Sequence, residues 1–131
     1  MPLGEYKLAR QLAGRGYYAR VKVDVSAGEP AVVVGDDVFA WIRDAYGPNA
    51  LYRDLDDFRG GARVGAEYAL RNRTEPGPMQ HVLVSEIHFT YVDTTRACVA
   101  FAACFAVWAA LDDPGTSQPT LDQEWPAAQG A

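Results

Sequence analysis

The clearest pattern in the sequence is an alternation of side chains from Tyr17 to Val25. One side carries Tyr17, Ala19, Val21, Val23 and Val25, and the other carries Tyr18, Arg20, Lys22 and Asp24. A period of two in β-branched and aromatic residues predicts a strand with one buried face and one polar face. Just before it, Gly14-Arg15-Gly16 predicts a turn. We therefore expect an exposed loop that carries Arg10, Gln11 and Arg15.

The next segments predict a short strand and two helices. Ala31–Val34 is expected to pair with the first strand as a hairpin. A short helix, capped by Asp36 or Asp37, is expected to end at Gly47, followed by a loop at Asn49–Arg53. A longer helix is predicted over Leu55–Asn72 because small and apolar residues recur there at spacings of three and four: Leu55, Phe58, Ala62, Ala66 and Ala69. Inside it, Gly65 indicates close approach to another element, and Gly60-Gly61 offers an alternative start.

The second half predicts a strand region, a buried helix and a tail. Met79–Val92 is strand-like and long enough for a bent strand or two strands, with Leu83, Ile87, Phe89 and Tyr91 on one side. The last helix, capped by Asp93, Thr94 or Thr95, is expected to reach Leu111 and to be the most buried element. We predict one domain over residues 1–112 and a flexible tail over 113–131, in which Trp125 has no assigned role.

Composition and charge narrow the possible functions. The 131 residues are 49% hydrophobic, which suits one domain with a sizeable core. The net charge of −5 makes the chain a poor general nucleic-acid binder, so any RNA contact must be local. The N-terminus has no signal-peptide pattern, and the apolar run Ala97–Leu111 is shorter than the roughly 20 residues of a membrane span. We expect a cytoplasmic protein without membrane contact, in which Cys98 and Cys104 are buried free thiols.

Several motifs resemble domain IV of translation elongation factor G. Its opening signature RQ-x-GGRG-x-Y-x-x-V is similar to the sequence from Arg10 to Val21. The helix pattern A-x-x-x-G-x-x-x-A-L is matched at Gly65, Ala69 and Leu70, and V-D-S-S is similar to Val92–Thr95. The order is shared over roughly Leu8 to Leu111, and the corresponding domain of tetracycline ribosomal-protection proteins is also similar.

The resemblance implies a fold and a site. The fold is α+β, a single-domain βαβ unit with a left-handed crossover of the ribosomal protein S five domain 2-like type, with helices packed on one face of a sheet. The implied site is a tip loop that contacts the ribosome or rRNA, made of Arg10, Gln11, Gly14, Arg15 and Gly16. His88 and Thr90 mark a possible second tip, since the family histidine falls at Thr90 and His88 lies two residues earlier.

Two departures limit what the resemblance implies. The sequence has no G-x-x-x-x-G-K-[ST] stretch, so no GTP binding is expected. The family segment G-G-x-I-P is replaced by an insertion at Asp36–Pro48. The leading hypothesis is therefore a stand-alone, non-enzymatic module that binds the ribosome or another translation component, with no cofactor and no metal.

Two alternatives stay open at this stage. One is a small enzyme or ligand-binding protein on the same fold, in which His88 would act with Glu86 as a general acid or base. The other is a protein-interaction module, such as a homodimer that uses the insertion at Asp36–Pro48. A deep pocket around His88 and Glu86 would favour an enzyme, and an exposed Gly14–Gly16 tip would favour ribosome binding.

Overall fold

The computed structural model of the chain describes residues 2–47, 54–74, 77–121, 123 and 125. The predicted loop at Asn49–Arg53 and the last residues of the predicted tail lie outside this part. The elements in chain order are β1 (Leu3–Leu12), β2 (Arg15–Ala27), β3 (Ala31–Val34), α1 (Ala40–Tyr46), α2 (Leu55–Arg71), β4 (Gln80–His88) and α3 (Arg96–Leu111).

The strands form one mixed sheet in the order β1-β2-β4-β3. β1 pairs antiparallel with β2, β2 antiparallel with β4, and β3 parallel with β4. Helices α2 and α3 pack against each other and against the face of the sheet that buries the valines of β2 and β4. The described residues thus form an α+β fold of four strands and three helices, in which β3, α2 and β4 form the predicted βαβ unit.

Strand β2 confirms the alternation seen in the sequence. Its inward residues Ala19, Val21, Val23 and Val25 are buried, while the residues between them are partly exposed. Strand β1 was not predicted, because its inward positions include Gly4 and Arg10 and its pattern is therefore weak. Gly4 has a structural reason: a methyl group there would overlap the backbone of Ala106 in α3. β1 therefore packs directly on the helix backbone.

The predicted hairpin between the first strand and Ala31–Val34 is wrong. β3 pairs with β4, in the register Ala31↔His81 to Val34↔Val84. The local Ser26–Pro30 turn suggested a hairpin, but β4 inserts between β2 and β3 in the sheet. A partner so distant in sequence leaves no local signal.

The strand Met79–Val92 is shorter and less regular than predicted. β4 is a single strand that ends at His88, and its pairing with β2 shifts between Lys22 and Val23. Because of this bulge, Val82, Val84 and Ile87 all face the core, although Val84 and Ile87 are three residues apart. The prediction that Leu83 and Ile87 share one face is therefore wrong.

The helices largely follow the sequence pattern. α2 spans nearly the predicted range, and Gly60-Gly61 lies inside it. A methyl group at Gly65 would overlap the backbone of Ala100, which confirms the predicted close approach, here to α3. The predicted cap of the short helix is wrong: α1 begins only at Ala40 with Phe39 at the N-cap position, so neither Asp36 nor Asp37 caps it.

Helix α3 forms the centre of the core. Of the three candidate caps, Thr95 is the N-cap, and its side chain accepts a hydrogen bond from Cys98 N at 3.3 Å. The indole of the buried Trp108 donates to Ala69 O of α2 at 2.9 Å. Cys98 and Cys104 are free and buried as predicted, and burial raises the pKa of the Cys104 thiol to about 12.

The described part of the C-terminal segment lies against the helices. Thr116 N donates to Asn72 O at 2.8 Å, and the Tyr68 hydroxyl donates to Ser117 O at 2.6 Å. Trp125, which has no role in the sequence analysis, is only 9% exposed, and its ring packs edge-on against Tyr68 at 5.3 Å. Trp125 thus anchors the segment to α2, whereas the boundary at residue 112 stays a prediction.

Candidate functional site

The predicted tip is a tight hairpin turn rather than an open loop. Arg15 pairs with Leu12 across the end of β1 and β2, so Ala13 and Gly14 alone form the turn. Both have positive φ, 52° and 79°, as a two-residue type I′ turn requires. Of the predicted tip residues, only Gly14 lies in the turn itself. The others lie on the adjoining strand ends, Arg10 and Gln11 on β1 and Arg15 and Gly16 on β2.

Both arginines of the tip lie over aromatic rings. The guanidinium carbon of Arg10 is 5.4 Å from the centre of the Phe101 ring, and that of Arg15 is 5.2 Å from the Tyr17 ring. Arg10 also donates to the Tyr6 hydroxyl at 3.4 Å. Arg10 is paired with Tyr17 in the hairpin, so these side chains share the helix side of the sheet. Stacking orients each guanidinium but leaves N–H groups at its edge for a ligand.

A groove lies beside Arg10. It has a volume of about 430 Å³ and lies between the hairpin, α3 and the C-terminal segment. Its walls include Arg10, Tyr17, Phe101, Phe105 and Leu121. The sequence indicated the arginines but not the whole aromatic wall, because Phe101 and Phe105 belong to α3, which is distant in sequence from the hairpin.

The loop between β4 and α3 lies at the same end of the molecule. The backbone of Tyr18 donates to Asp93 O at 3.1 Å, and the Thr94 hydroxyl donates to Tyr18 O at 2.6 Å. Gly16 lies against the Asp93 side chain, since a methyl group at Gly16 would lie 2.7 Å from that carboxylate and the side chain would have to move. The second predicted tip residue, Thr90, is exposed in this loop and accepts a hydrogen bond from Asp93 N at 3.1 Å. The two predicted tips are therefore tied together through Asp93 and Thr94.

His88 lies apart from this loop, on the outer face of the sheet. Its ring stacks on Trp41 of α1, with 4.8 Å between centres, and its Nε2 lies 2.9 Å from Glu86 Oε1. The hydrogen bond with His88 lowers the pKa of Glu86, and Lys22, 3.1 Å away, acts in the same direction. A groove of about 450 Å³ includes Glu86 but is not lined by His88. The His88–Glu86 pair thus belongs to a network of ionic and aromatic contacts.

Two cations on the outer face of the sheet are held in ion pairs. Arg20 bonds Glu5, and Lys22 bonds Glu86. By contrast, neither Arg10 nor Arg15 forms an ion pair with any residue in the part of the chain that the structure describes. Among the described residues there is also no group of three or more His, Cys, Asp or Glu side chains that could hold a metal ion. Among the same residues Lys7 and Arg71 also have no ion pair, and the hairpin tip differs from them in carrying two guanidinium groups that each lie over an aromatic ring.

The comparisons with known proteins concern the fold alone. No protein-family model and no curated protein sequence match the chain. Among solved structures, the chain is similar to the protein ttk003000868 of Thermus thermophilus, with a TM-score of 0.57 and 16% sequence identity. The match covers 80% of this chain but 14% of the Thermus protein, so the fold corresponds to a small part of a much longer chain. Over the described residues, no helix has the length and apolar character of a membrane span.

Proposed function

We propose that this chain is a non-enzymatic module that binds the ribosome, through rRNA phosphates, with its hairpin tip. The observation that carries the proposal is the pair Arg10 and Arg15, which is exposed, supported by aromatic rings and without an ion-pair partner among the described residues. Guanidinium groups bind phosphate oxygens by paired hydrogen bonds, and a turn with glycine allows a close backbone approach. The resemblance of this motif to the tip of elongation factor G domain IV points to the ribosome as the source of those phosphates.

The body of the protein constrains how this binding works. With a net charge of −5, the molecule as a whole is repelled by RNA, so affinity must come from the tip. Asp93 beside Gly16 adds a negative charge close to the contact. We therefore expect binding that is weak, sensitive to salt and limited to an RNA surface that matches the tip in shape.

The test is co-sedimentation with purified ribosomes at several salt concentrations. The variant Arg10→Ala/Arg15→Ala should bind at least about tenfold more weakly, and its log–log salt slope should fall by about 1.4–1.8, because each lost phosphate contact removes about 0.7–0.9. The matched control is Arg71→Ala/Arg73→Ala, which removes the same charge at the end of α2. GTP should leave binding unchanged, since the sequence has no phosphate-binding loop for it.

The control variant decides between a specific tip and general charge. If both double variants lose affinity equally, the tip has no special role and the proposal is wrong. If wild type does not sediment with ribosomes at low salt, the proposal is equally wrong. A melting temperature measured for each variant shows whether loss of binding follows from loss of folding.

An enzymatic function would rest on one other observation, the contact of His88 with Glu86. Such a pair can transfer a proton only if a substrate reaches it. Here one face of the His88 ring stacks on Trp41, and Glu86 is also held by Lys22. The geometry supports the ribosome-binding proposal better, because Arg10 and Arg15 stand at an open surface.

A further inference from the structure

Strand β1 is an edge of the sheet, and its outer side is open. Val25 N donates to Pro2 O at 2.9 Å, so Pro2 and Val25 are a hydrogen-bonded pair of the antiparallel ladder. Hydrogen-bonded and non-hydrogen-bonded pairs alternate along such a ladder. The even-numbered residues of β1 therefore bond to β2, and the odd-numbered ones turn their N–H and C=O groups outward: Leu3, Glu5, Lys7, Ala9 and Gln11. Within the described part of the chain, none of these outward backbone groups has a hydrogen-bond partner.

The opposite edge of the sheet is closed. β3 has four residues, and its carbonyls are occupied by arginines of α2. Arg59 donates to Gly35 O at 2.9 Å and to Val34 O at 3.0 Å, and Arg63 donates to Val32 O at 3.2 Å. Proteins usually shorten or cover their strand edges in this way to prevent pairing with another chain. β1 instead offers ten residues, and its pairing with β2 has no bulge.

We propose that two copies of this chain pair through β1, antiparallel and about a two-fold axis, to form one continuous eight-stranded sheet. The occupant of the open edge is thus a second β1. A two-fold axis makes the interface self-complementary, so each contact away from the axis occurs twice in the dimer. This inference does not depend on ribosome binding.

Charge selects the register of the two strands. The outward N–H and C=O groups belong to odd-numbered residues in both copies of β1. The two strands can therefore form hydrogen bonds only in registers that place odd-numbered residues opposite each other. The register centred on Tyr6 places Glu5 opposite the partner's Lys7, and Lys7 opposite the partner's Glu5. A shift of one strand by two residues in either direction would set Glu5 against the partner's Glu5, or Lys7 against the partner's Lys7. Like charges directly opposite destabilise a sheet, so the centred register is favoured.

The register centred on Tyr6 also forms main-chain hydrogen bonds and buries the aromatic groove beside Tyr6. The four odd-numbered residues from Leu3 to Ala9 would form about eight main-chain hydrogen bonds across the axis. On the helix side, Tyr6 stacks on Phe105 at 5.0 Å along a groove of about 430 Å³ that continues to Trp108. The partner's Tyr6 would cover this groove. Arg10 and the turn lie beyond the paired segment and stay open.

The proposal is tested by measuring molecular mass by light scattering and sedimentation over a range of concentrations up to about 0.5 mM. Wild type should be dimeric at the upper end. Lys7→Glu should weaken the dimer by about tenfold or more, because two attractive cross-strand pairs become repulsive. Glu5→Lys should weaken the dimer by a similar factor, because each cross-strand pair then joins two positive charges. Arg71→Glu, the same charge change far from β1, should leave the dimer intact.

The decisive measurement is an equimolar mixture of Lys7→Glu and Glu5→Lys. In the mixed dimer each cross-strand pair again joins a cation and an anion, so the dimer should return to near wild-type strength. Glu5→Lys also loses the bond to Arg20, but this loss is the same alone and in the mixture. If Glu5→Lys does not fold, the comparison of dimer strength between Lys7→Glu and Arg71→Glu tests the proposal by itself. A monomeric wild type, a dimer indifferent to Lys7→Glu, or a mixture of folded variants that stays monomeric would overturn the proposal.

Discussion

The helix pair α2–α3 and the hairpin turn both depend on glycine, for opposite reasons. Gly61 and Gly65 provide space, because a methyl group at Gly61 would lie 2.6 Å from Arg96 O and one at Gly65 would overlap Ala100. Gly14 has nothing within 4 Å of such a methyl group, but its φ of 79° favours glycine. The helix pair is therefore sensitive to volume, whereas the turn is sensitive only to backbone conformation. A change at the turn should stay local, and one in the helix pair should spread into the core.

The largest loss of stability is expected where α3 meets the hairpin. Phe101 is 3% exposed and contacts Tyr6 and Arg10, so Phe101→Ala should lower the free energy of unfolding by about 3–5 kcal/mol. Phe105, one turn later, is only partly buried, and Phe105→Ala should cost about half as much. Urea unfolding measures both. Equal losses would show that the depth of burial does not separate the two rings.

The next effect is expected inside the helix pair. Gly65→Ala should lower the free energy of unfolding by about 1–3 kcal/mol or more, because α2 and α3 must separate to admit the methyl group. In an exposed helix the same change would stabilise by about 1 kcal/mol, so the sign of the effect is informative. Gly77→Ala, in the loop before β4, is the control for the added methyl group alone, since the nearest neighbour there is an Arg73 side-chain atom at 3.6 Å. A stabilising Gly65→Ala would contradict the close packing described here.

The smallest effects are expected at the turn. Gly14→Ala should cost about 1 kcal/mol, and Ala13→Asn should stabilise by up to about 1 kcal/mol, because asparagine tolerates the left-handed conformation better than alanine. Differential scanning calorimetry should detect both shifts in Tm. Neither variant should alter the near-ultraviolet circular dichroism of the core aromatics. A large change in that spectrum would mean that the turn and the core are not independent.

The sequence predicts the elements whose pattern is local. The alternation in β2, the apolar run of α3 and the spacing in α2 each follow from neighbouring residues, and all three elements are present. β1 was missed because close contact with α3 places glycine, not an apolar side chain, at one of its inward positions. The bulge in β4 and the parallel pairing of β3 depend on strands distant in sequence, so no local pattern indicates them.

The candidate site was predicted in part for the same reason. Arg10 and Arg15 stand out in the sequence because they adjoin a clear strand, and Arg15 also lies between two glycines. Phe101 under Arg10 and Asp93 beside Gly16 come from α3 and the loop before it, and only the fold brings them to the hairpin. Trp41, which covers His88, belongs to the Asp36–Pro48 insertion, for which the sequence suggested a dimer contact rather than a contact with His88. Contacts between distant segments account for what the sequence left undetermined.

The central position of β4 also sets the order in which the protein can assemble during synthesis. β1 and β2 are neighbours in the chain, so their hairpin can close as soon as both have been made. β3 has only β4 as a strand neighbour, and β4 is made after two helices have been added. Until then, the valines of β2 lack both their neighbouring strand and the cover of α3. A nascent chain paused before Gln80 would therefore expose an apolar sheet edge, and this is the stage at which a chaperone would protect it most.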